Sequence, residues 1–301
     1  MSIVVGVDPA HRSASVLHLA AMLARSTGTG LVVAAIVPPA WPTTAGGADA
    51  EWRGYTRENA ESALDHAAAV LGGATAAEYL LHDAPSARRG LMELAEQRSA
   101  SMIVVGSAGE GRPGRIALGS ASDTLLHASP VPVAIAPRGY RTAENARVSR
   151  VTAAYRGTGA SSDVVLGAAG VAASAGAELR IASFAVVPRD SGTSGAGLDA
   201  ETAIADTWAA DVATHAASLV RQVTEQADAP AVSTVAVGRG ETWDDAMADI
   251  RWEPGEVLVV GSSTLGPVAR VFLGSHAAKI LRHSPVPVIV VPHGLAGRER
   301  D

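Results

Sequence analysis

Three glycines and a serine at fixed spacing carry the clearest chemistry in this chain: Gly106-x2-Gly109-x9-Gly119-Ser120. They lie in GSAGEGRPGRIALGSAS, Gly106–Ser122, which starts where an apolar run ends and finishes where a helical pattern begins. Glycine lets a backbone turn sharply and approach a ligand with no Cβ in the way. The unpaired N–H groups that open a helix favour phosphate. Ser120 and Ser122 add neutral hydroxyl donors, and Arg112 and Arg115 lie between Gly109 and Gly119. Charge-assisted hydrogen bonds of about 1.5–3 kcal/mol each can hold a polyphosphate. Taken singly, Gly106 reads equally as a strand-ending turn and Ser120 as an ordinary helix cap. The stretch Gly109-Glu110-Gly111-Arg112-Pro113-Gly114 also fits G-x-G-x-x-G. Pro113 interrupts it and no helix begins inside it, so the context of a dinucleotide fingerprint is missing.

Composition removes many alternatives. The chain has 301 residues and 0 cysteines, so no disulfide framework, thiolate metal site or cysteine nucleophile can be built. Its Lys+Arg total is 24, yet the lone lysine is Lys279, flanked by Ala278 and Ile280. A Walker A loop has no Gly-Lys-Ser/Thr to build on, and a kinase-type strand lysine, a Schiff base or a lysine-rich nucleic-acid patch is equally hard to build. A formal net charge of -6 argues against nucleic acid and anionic membrane as partners. The start MSIVVGVD lacks a basic segment followed by a long apolar one, and the uncharged run Val164–Ala177 is too short to span a bilayer. A cytoplasmic chain is expected. The nine histidines show no metal spacing, and His276 and His283 read as surface residues. Asp244 and Asp245 read as a solvated helix start, and Trp41, Trp52, Trp208, Trp243 and Trp252 as packing groups at domain edges. Ser191–Gly197 reads as a mobile loop.

The elements that must position the glycine-rich loop occur twice. Met102–Pro137 and Val257–Pro292 align without gaps at an offset of 155, sharing VVGS, LGS and SPVPV. Ile3–Asp8 pairs loosely with Val151–Tyr155, and Ile36-Val37-Pro38 with Val186-Val187-Pro188. Domains over 1–140 and 148–296 follow, joined by a polar, charged linker near Arg138–Ser149. Within the first half, strands are expected over Ile3–Val7, Leu31–Val37, Glu78–His82, Met102–Val105 and Val131–Ala136. Helices are expected over Ala14–Thr27, Glu58–Leu71, Ala87–Arg98 and Ser120–His127, with Pro38–Arg57 a long excursion. Apolar strands alternating with helices imply an α/β fold, a parallel sheet covered on both faces. Ligands in such sheets bind beyond the carboxyl ends of the strands, which here means after Val7, Val37 and Val105.

On these residues the chain resembles the universal stress proteins of the tandem two-domain type. Their nucleotide-binding members carry G-x2-G-x9-G-[ST], and MIVVGS and SPVPVAIAP resemble the strands around it. The resemblance covers essentially the whole chain. It implies two Rossmann-like domains of the adenine nucleotide alpha hydrolase type, each a five-stranded parallel sheet flanked by helices. It implies ATP as ligand, with AMP or ADP as alternatives and Mg²⁺ as an accompanying ion. Gly6, Val7 and Asp8 match the first-strand end that meets adenosine, where a carboxylate can accept from ribose hydroxyls. Ile36 matches the backbone contact to adenine and Val105 the residue beside the base. Gly106 and Gly109 match the approach to ribose and phosphates, and Gly119, Ser120, Ala121 and Ser122 the phosphate-binding helix start.

The second half keeps Gly261, Gly274 and Ser275 as candidates, but Thr264 replaces the second glycine and Tyr155 stands where the first half has Asp8. A competent first site and a second one that is weak, altered or empty are expected. The resemblance further implies pairing of the fifth strands between domains within one chain, and association of two chains as a symmetric dimer. No general base or activated nucleophile is visible. The expected function is therefore a nucleotide-responsive regulatory protein of the stress response, acting on an unknown protein partner. The alternatives are an interaction or structural module that binds no nucleotide, or a slow ATPase.

Overall fold

The structure is a computed structural model that describes residues 1–38, 48–73, 75–109, 111–157, 159–187, 196–225, 229–261 and 273–292. Two compact units divide between Arg147 and Val148. The first contains β1 (Ser2–Val7), α1 (Ala14–Thr27), β2 (Gly30–Val37), α2 (Ala48–Leu71) and β3 (Ala77–Asp83). It continues with α3 (Ala87–Gln97), β4 (Ala100–Gly106), α4 (Ser120–Leu126) and β5 (Val133–Ala136). The second contains β6 (Arg150–Ala154), α5 (Gly159–Ala175), β7 (Glu178–Val186), α6 (Ala196–Thr224) and β8 (Val232–Gly240). Then come α7 (Trp243–Ala248), β9 (Glu256–Gly261), α8 (Ser275–His283) and β10 (Val288–Val291).

Strand order in the first unit is β3-β2-β1-β4-β5, and the second repeats it as β8-β7-β6-β9-β10. Every pairing within each unit is parallel. Helices cover both faces, so the central strands are apolar throughout: Val4, Val5, Val33, Ile103, Val104 and Ile135 are buried, as are Val151, Leu179, Ile181, Val257, Leu258 and Ile289. The order reverses beside β1 and β4, whose carboxyl ends therefore flank the crevice where such sheets take ligands.

Local chemistry sets the element ends. The Ser13 hydroxyl accepts from the Ser15 N–H at the start of α1, and Gly28 ends that helix at φ 69°. One expectation is corrected. The second helix starts at Ala48, ten residues before the periodic segment Glu58–Leu71, so part of the expected excursion is helical. Trp52 and Tyr55 there are exposed, and among the described side chains of residues 51–57 none is buried, so they offer no stripe that periodicity could reveal. Ala196 and Gly197, read as part of a loop, open α6; residues 191–195 and Trp41 lie outside the described residues.

Of the segment expected as a linker, residues 138–147 fold back within the first unit, whereas Val148 and Ser149 belong to the second. The Tyr140 hydroxyl donates to the Met22 sulfur at 3.5 Å, and burial pushes Tyr140 up to about 12. Arg141 lies 3.2 Å from His18 Nε2, Arg25 Nε donates to the Ala146 carbonyl at 3.0 Å, and Arg147 donates to the Arg25 carbonyl. Burial first, then Arg141 and Arg25, hold the His18 imidazole below its ordinary value. The neutral form is favoured in the fold. Its contribution is complete above the ordinary histidine range of about 6.5, and is lost as pH falls through the lowered folded value. His18→Gln should therefore flatten the fall in melting temperature between about pH 7.5 and about pH 5.5, measured by calorimetry.

Packing also predicts a sharp contrast between two glycines of the second unit. A Cβ at Gly238 in β8 would stand 2.1 Å from the Ala246 carbonyl oxygen of α7, whereas one at Gly170 in α5 meets nothing within 4 Å. Gly238→Ala should cost about 3 kcal/mol, since backbone must move. Gly170→Ala should be neutral or gain up to about 1 kcal/mol from helix propensity. Thermal unfolding of the two variants checks the pair.

Candidate functional site

The β1 end and the glycine-rich loop meet at the crevice. Gly6 and Val7 close β1, and Asp8 is exposed just beyond it. Asp8 Oδ1 accepts from the Ala10 N–H at 2.9 Å and Oδ2 faces His11 Nδ1 at 3.0 Å. A carboxylate has about four acceptor positions, so capacity for ribose hydroxyls remains. Asp8 is thus both a turn residue and an available acceptor. Val105 is buried and Gly106 ends β4. Ile36, half-buried near the end of β2, packs where Gly90 of α3 has no side chain; a Cβ there would be 2.8 Å from Ile36 Cδ1.

Turning requires none of the three motif glycines, and a tight neighbour is found at Gly109 alone. Gly106, Gly109 and Gly119 do not have positive φ; the loop's left-handed residue is Gly114, at φ 73°. A Cβ at Gly109 would stand 3.0 Å from His11 Cδ2, and one at Gly6 would stand 2.8 Å from Leu91 Cδ1. Among the described residues, a Cβ at Gly106 would meet only Val16, at 3.9 Å, so none of them requires glycine there. The expectation of sharp turns at Gly106 and Gly109 is corrected accordingly.

Ser107 closes the loop on itself. Its hydroxyl accepts from the Ala117 N–H at 2.9 Å, while the Ala108 N–H donates to the Ala117 carbonyl at 2.8 Å. Gly119 caps α4, and the Ser122 hydroxyl accepts from the Gly119 N–H at 2.9 Å. Ser122 is buried in that cap, whereas Ser120 is exposed and Ala121 half-buried on the first turn. Ser122 therefore shapes the helix start and spends its hydroxyl doing so. α4 is only seven residues long, so Gly109, Ser120 and the arginines must supply much of any anion binding.

Three residues at this site escaped the sequence reading: His11, Ser107 and Arg138. His11 stands three residues after Asp8 in a strand-end loop, a spacing that allows the observed contact. Ser107 has no spacing signature, and Arg138 reaches the loop only through the fold, donating from Nη1 to the Gly111 carbonyl. Among the described residues, no group of three His, Asp or Glu side chains could hold a metal ion.

The second unit has diverged at these positions. Strand registers place Tyr155 opposite the position of Val7, and Arg156 at that of Asp8, one residue later than the sequence pairing suggested. The same registers match Ile36 to Phe184 instead of Val186. Tyr155 is buried. Gly261 ends β9, and a Cβ on it would stand 2.3 Å from Val164 Cγ2. Gly274 caps α8 without a side-chain bond, and Ser275 is exposed on its first turn. Thr264 lies outside the described residues. His276, expected at the surface, is half-buried edge-on to Trp243 with ring centroids 5.0 Å apart. Burial first, then Arg156 and Lys279, hold its imidazole below the ordinary value. Lys279 Nζ lies 6.0 Å from the Trp243 ring centroid, and His283 pairs with Asp244 at 3.1 Å.

Comparison with known proteins agrees with this duplicated architecture. The profile of the universal stress protein family matches residues 1–137 and again 148–292. Universal stress protein Rv2319c of Mycobacterium tuberculosis is 38% identical over 298 residues, 97% of this chain and 100% of that protein. Universal stress protein Mb2346c of Mycobacterium bovis matches to the same extent, 38% over 298 residues, 97% and 100%. The crystal structure of a universal stress protein from Archaeoglobus fulgidus superposes with a TM-score of 0.60 at 21% identity, covering 97% of this chain and 98% of that one, a likeness of fold. With both halves matched, the chain belongs to the universal stress protein family, as two tandem domains of its α/β fold.

Proposed function

We propose that the first unit binds an adenine nucleotide, ATP foremost, and that the chain is a nucleotide-responsive regulatory protein and not an enzyme. The carrying observation is the approach of the β1–α1 loop to the glycine-rich loop, with the bare Gly109 facing His11 while His11 holds Asp8. Asp8 would take ribose hydroxyls, with Gly6, Val7, Ile36 and Val105 lining the base. Gly106, Gly109 and Gly119–Ser122 would face the phosphates, with Arg112 exposed nearby. Gly106 supports this reading in its own way, since no described residue accounts for its missing side chain. Mg²⁺ fits only as an ion carried on the phosphates, with water completing its shell.

The second unit is a poor match for adenosine, because Arg156 brings a cation where Asp8 brings an acceptor. One nucleotide per chain follows. A cytoplasmic location, a symmetric dimer and a protein partner that reads occupancy belong to the same reading. No helix among the described residues is long and apolar enough to cross a membrane. Calorimetric titration of the full chain with ATP, together with mass analysis of small molecules released on denaturation, tests the proposal. One binding event, or a recovered adenine nucleotide, is expected. No heat of binding and no released nucleotide would sink it in favour of a plain interaction module.

A further inference from the structure

We infer that residues 138–147 form a strap whose docking on α1 is governed by the glycine-rich loop. Nucleotide occupancy then reaches the segment that leads out of the first unit. The ligand half of this inference rests on the nucleotide reading above; the loop–strap half does not.

The strap is tied to the loop at one residue. The Gly114 N–H donates to the Arg138 carbonyl at 2.8 Å, and the Arg138 N–H donates to the Arg115 carbonyl at 3.0 Å. The Arg138 guanidinium adds the bond to the Gly111 carbonyl. Gly139 follows at φ 75°, a left-handed position that suits glycine. Tyr140, Arg141 and Ala146 then make the contacts to Met22, His18 and Arg25 already described.

This docking is marginal, as a switchable element must be. Arg141, Ala143, Glu144, Asn145 and Arg147 are exposed. The Thr142 hydroxyl is buried with no hydrogen-bond partner, which opposes the docked state. A strap of this kind opens and closes, and whatever fixes Gly111–Arg115 biases the closed form through Arg138. A ligand that binds only the closed loop lowers the open population by a factor of 1 + [L]/Kd, about 100-fold at 100 times Kd.

Limited trypsin digestion of the full chain reads the open population when reclosing is fast. Cleavage after Arg141 and Arg147 is followed against cleavage after Arg221 in α6. Without nucleotide, Gly114→Val and Arg138→Ala should each speed strap cleavage at least tenfold by breaking the tie, with circular dichroism confirming the fold. Unchanged rates in both variants overturn the inference. With ATP at about 100 times its Kd, the parent's strap should be cut at least tenfold more slowly, and the Arg138→Ala strap less than threefold more slowly. ATP bound by calorimetry without any slowing overturns the coupling. Faster cleavage in the variants with no heat of ATP binding supports the loop–strap tie and overturns the nucleotide reading instead.

Discussion

Glu256→Ala should lower the melting temperature of the second unit by about 6–20 °C, the largest stability effect expected of any single substitution here. Glu256 and Arg180 are almost wholly buried and Thr152 is fully so. Glu256 Oε1 accepts from Thr152 Oγ1 and Arg180 Nη2, and its Oε2 accepts from Arg150 Nη2 at 3.0 Å. Arg180 also donates to the Arg251 carbonyl at 2.9 Å and lies 4.9 Å from the Trp252 ring centroid. Burial lowers the Arg180 guanidinium from its ordinary value, and Glu256 works against that. Removing Glu256 leaves buried positive charge without its counterion, a loss of about 3–5 kcal/mol. At roughly 2–4 °C per kcal/mol for a unit of this size, the stated shift follows.

The network is not an asset simply because it is ionic. By strand register, the first unit carries Ser2, Val4 and Val32 where the second has Arg150, Thr152 and Arg180, and the repeat offset of 155 puts Ser101 at the place of Glu256. The same fold therefore stands without it. Replacing Arg150, Thr152, Arg180 and Glu256 together by Met, Val, Leu and Leu should restore most of the lost stability, because apolar groups need no counterion. A quadruple variant that melts below Glu256→Ala would contradict this account.

The second large effect falls on binding. Gly109→Val should weaken ATP at least 100-fold, about 2.7 kcal/mol, in calorimetric titration. The backbone there is open to valine, so the loss is one of space. The Cβ alone reaches 3.0 Å from the His11 ring, and two further methyls must displace either His11 or the ligand. A double variant with His11→Ala separates these causes. Recovered affinity would locate the clash at His11, and continued loss at the nucleotide. Gly106→Ala complements it: the melting temperature should hold, since only Val16 is met, while affinity drops if phosphate or ribose passes close by. Unchanged ATP affinity in both Gly109→Val and Gly106→Ala would remove the glycine-rich loop from the site.

The repeat was legible because identical residues recur at a constant offset, and the parallel sheet because buried strands must be apolar throughout. The three motif glycines were legible by spacing alone. Their reasons were not. Turning falls to Gly114, while Gly109 leaves room for His11, a neighbour about a hundred residues away in sequence. Its place in the motif makes Ser122 a neutral donor for a ligand, but its hydroxyl donates to the Gly119 carbonyl at 3.1 Å. The first turns of α2 are not legible because the described side chains of residues 51–57 bury no apolar stripe, and without one there is no periodic trace.

By itself, then, the sequence determined the duplicated α/β architecture and the lack of any cysteine, and it singled out the glycine-rich loop proposed to meet phosphate. Local periodicity and residue identity are enough for those. Only the tertiary structure decided that His11 joins Asp8 to Gly109, that Arg138 ties the loop to the strap on α1, and that Arg156 stands at Asp8's place in the second copy. Each of these depends on strand register or on contacts between distant segments, and a one-residue slip in register changes which side chain faces a ligand.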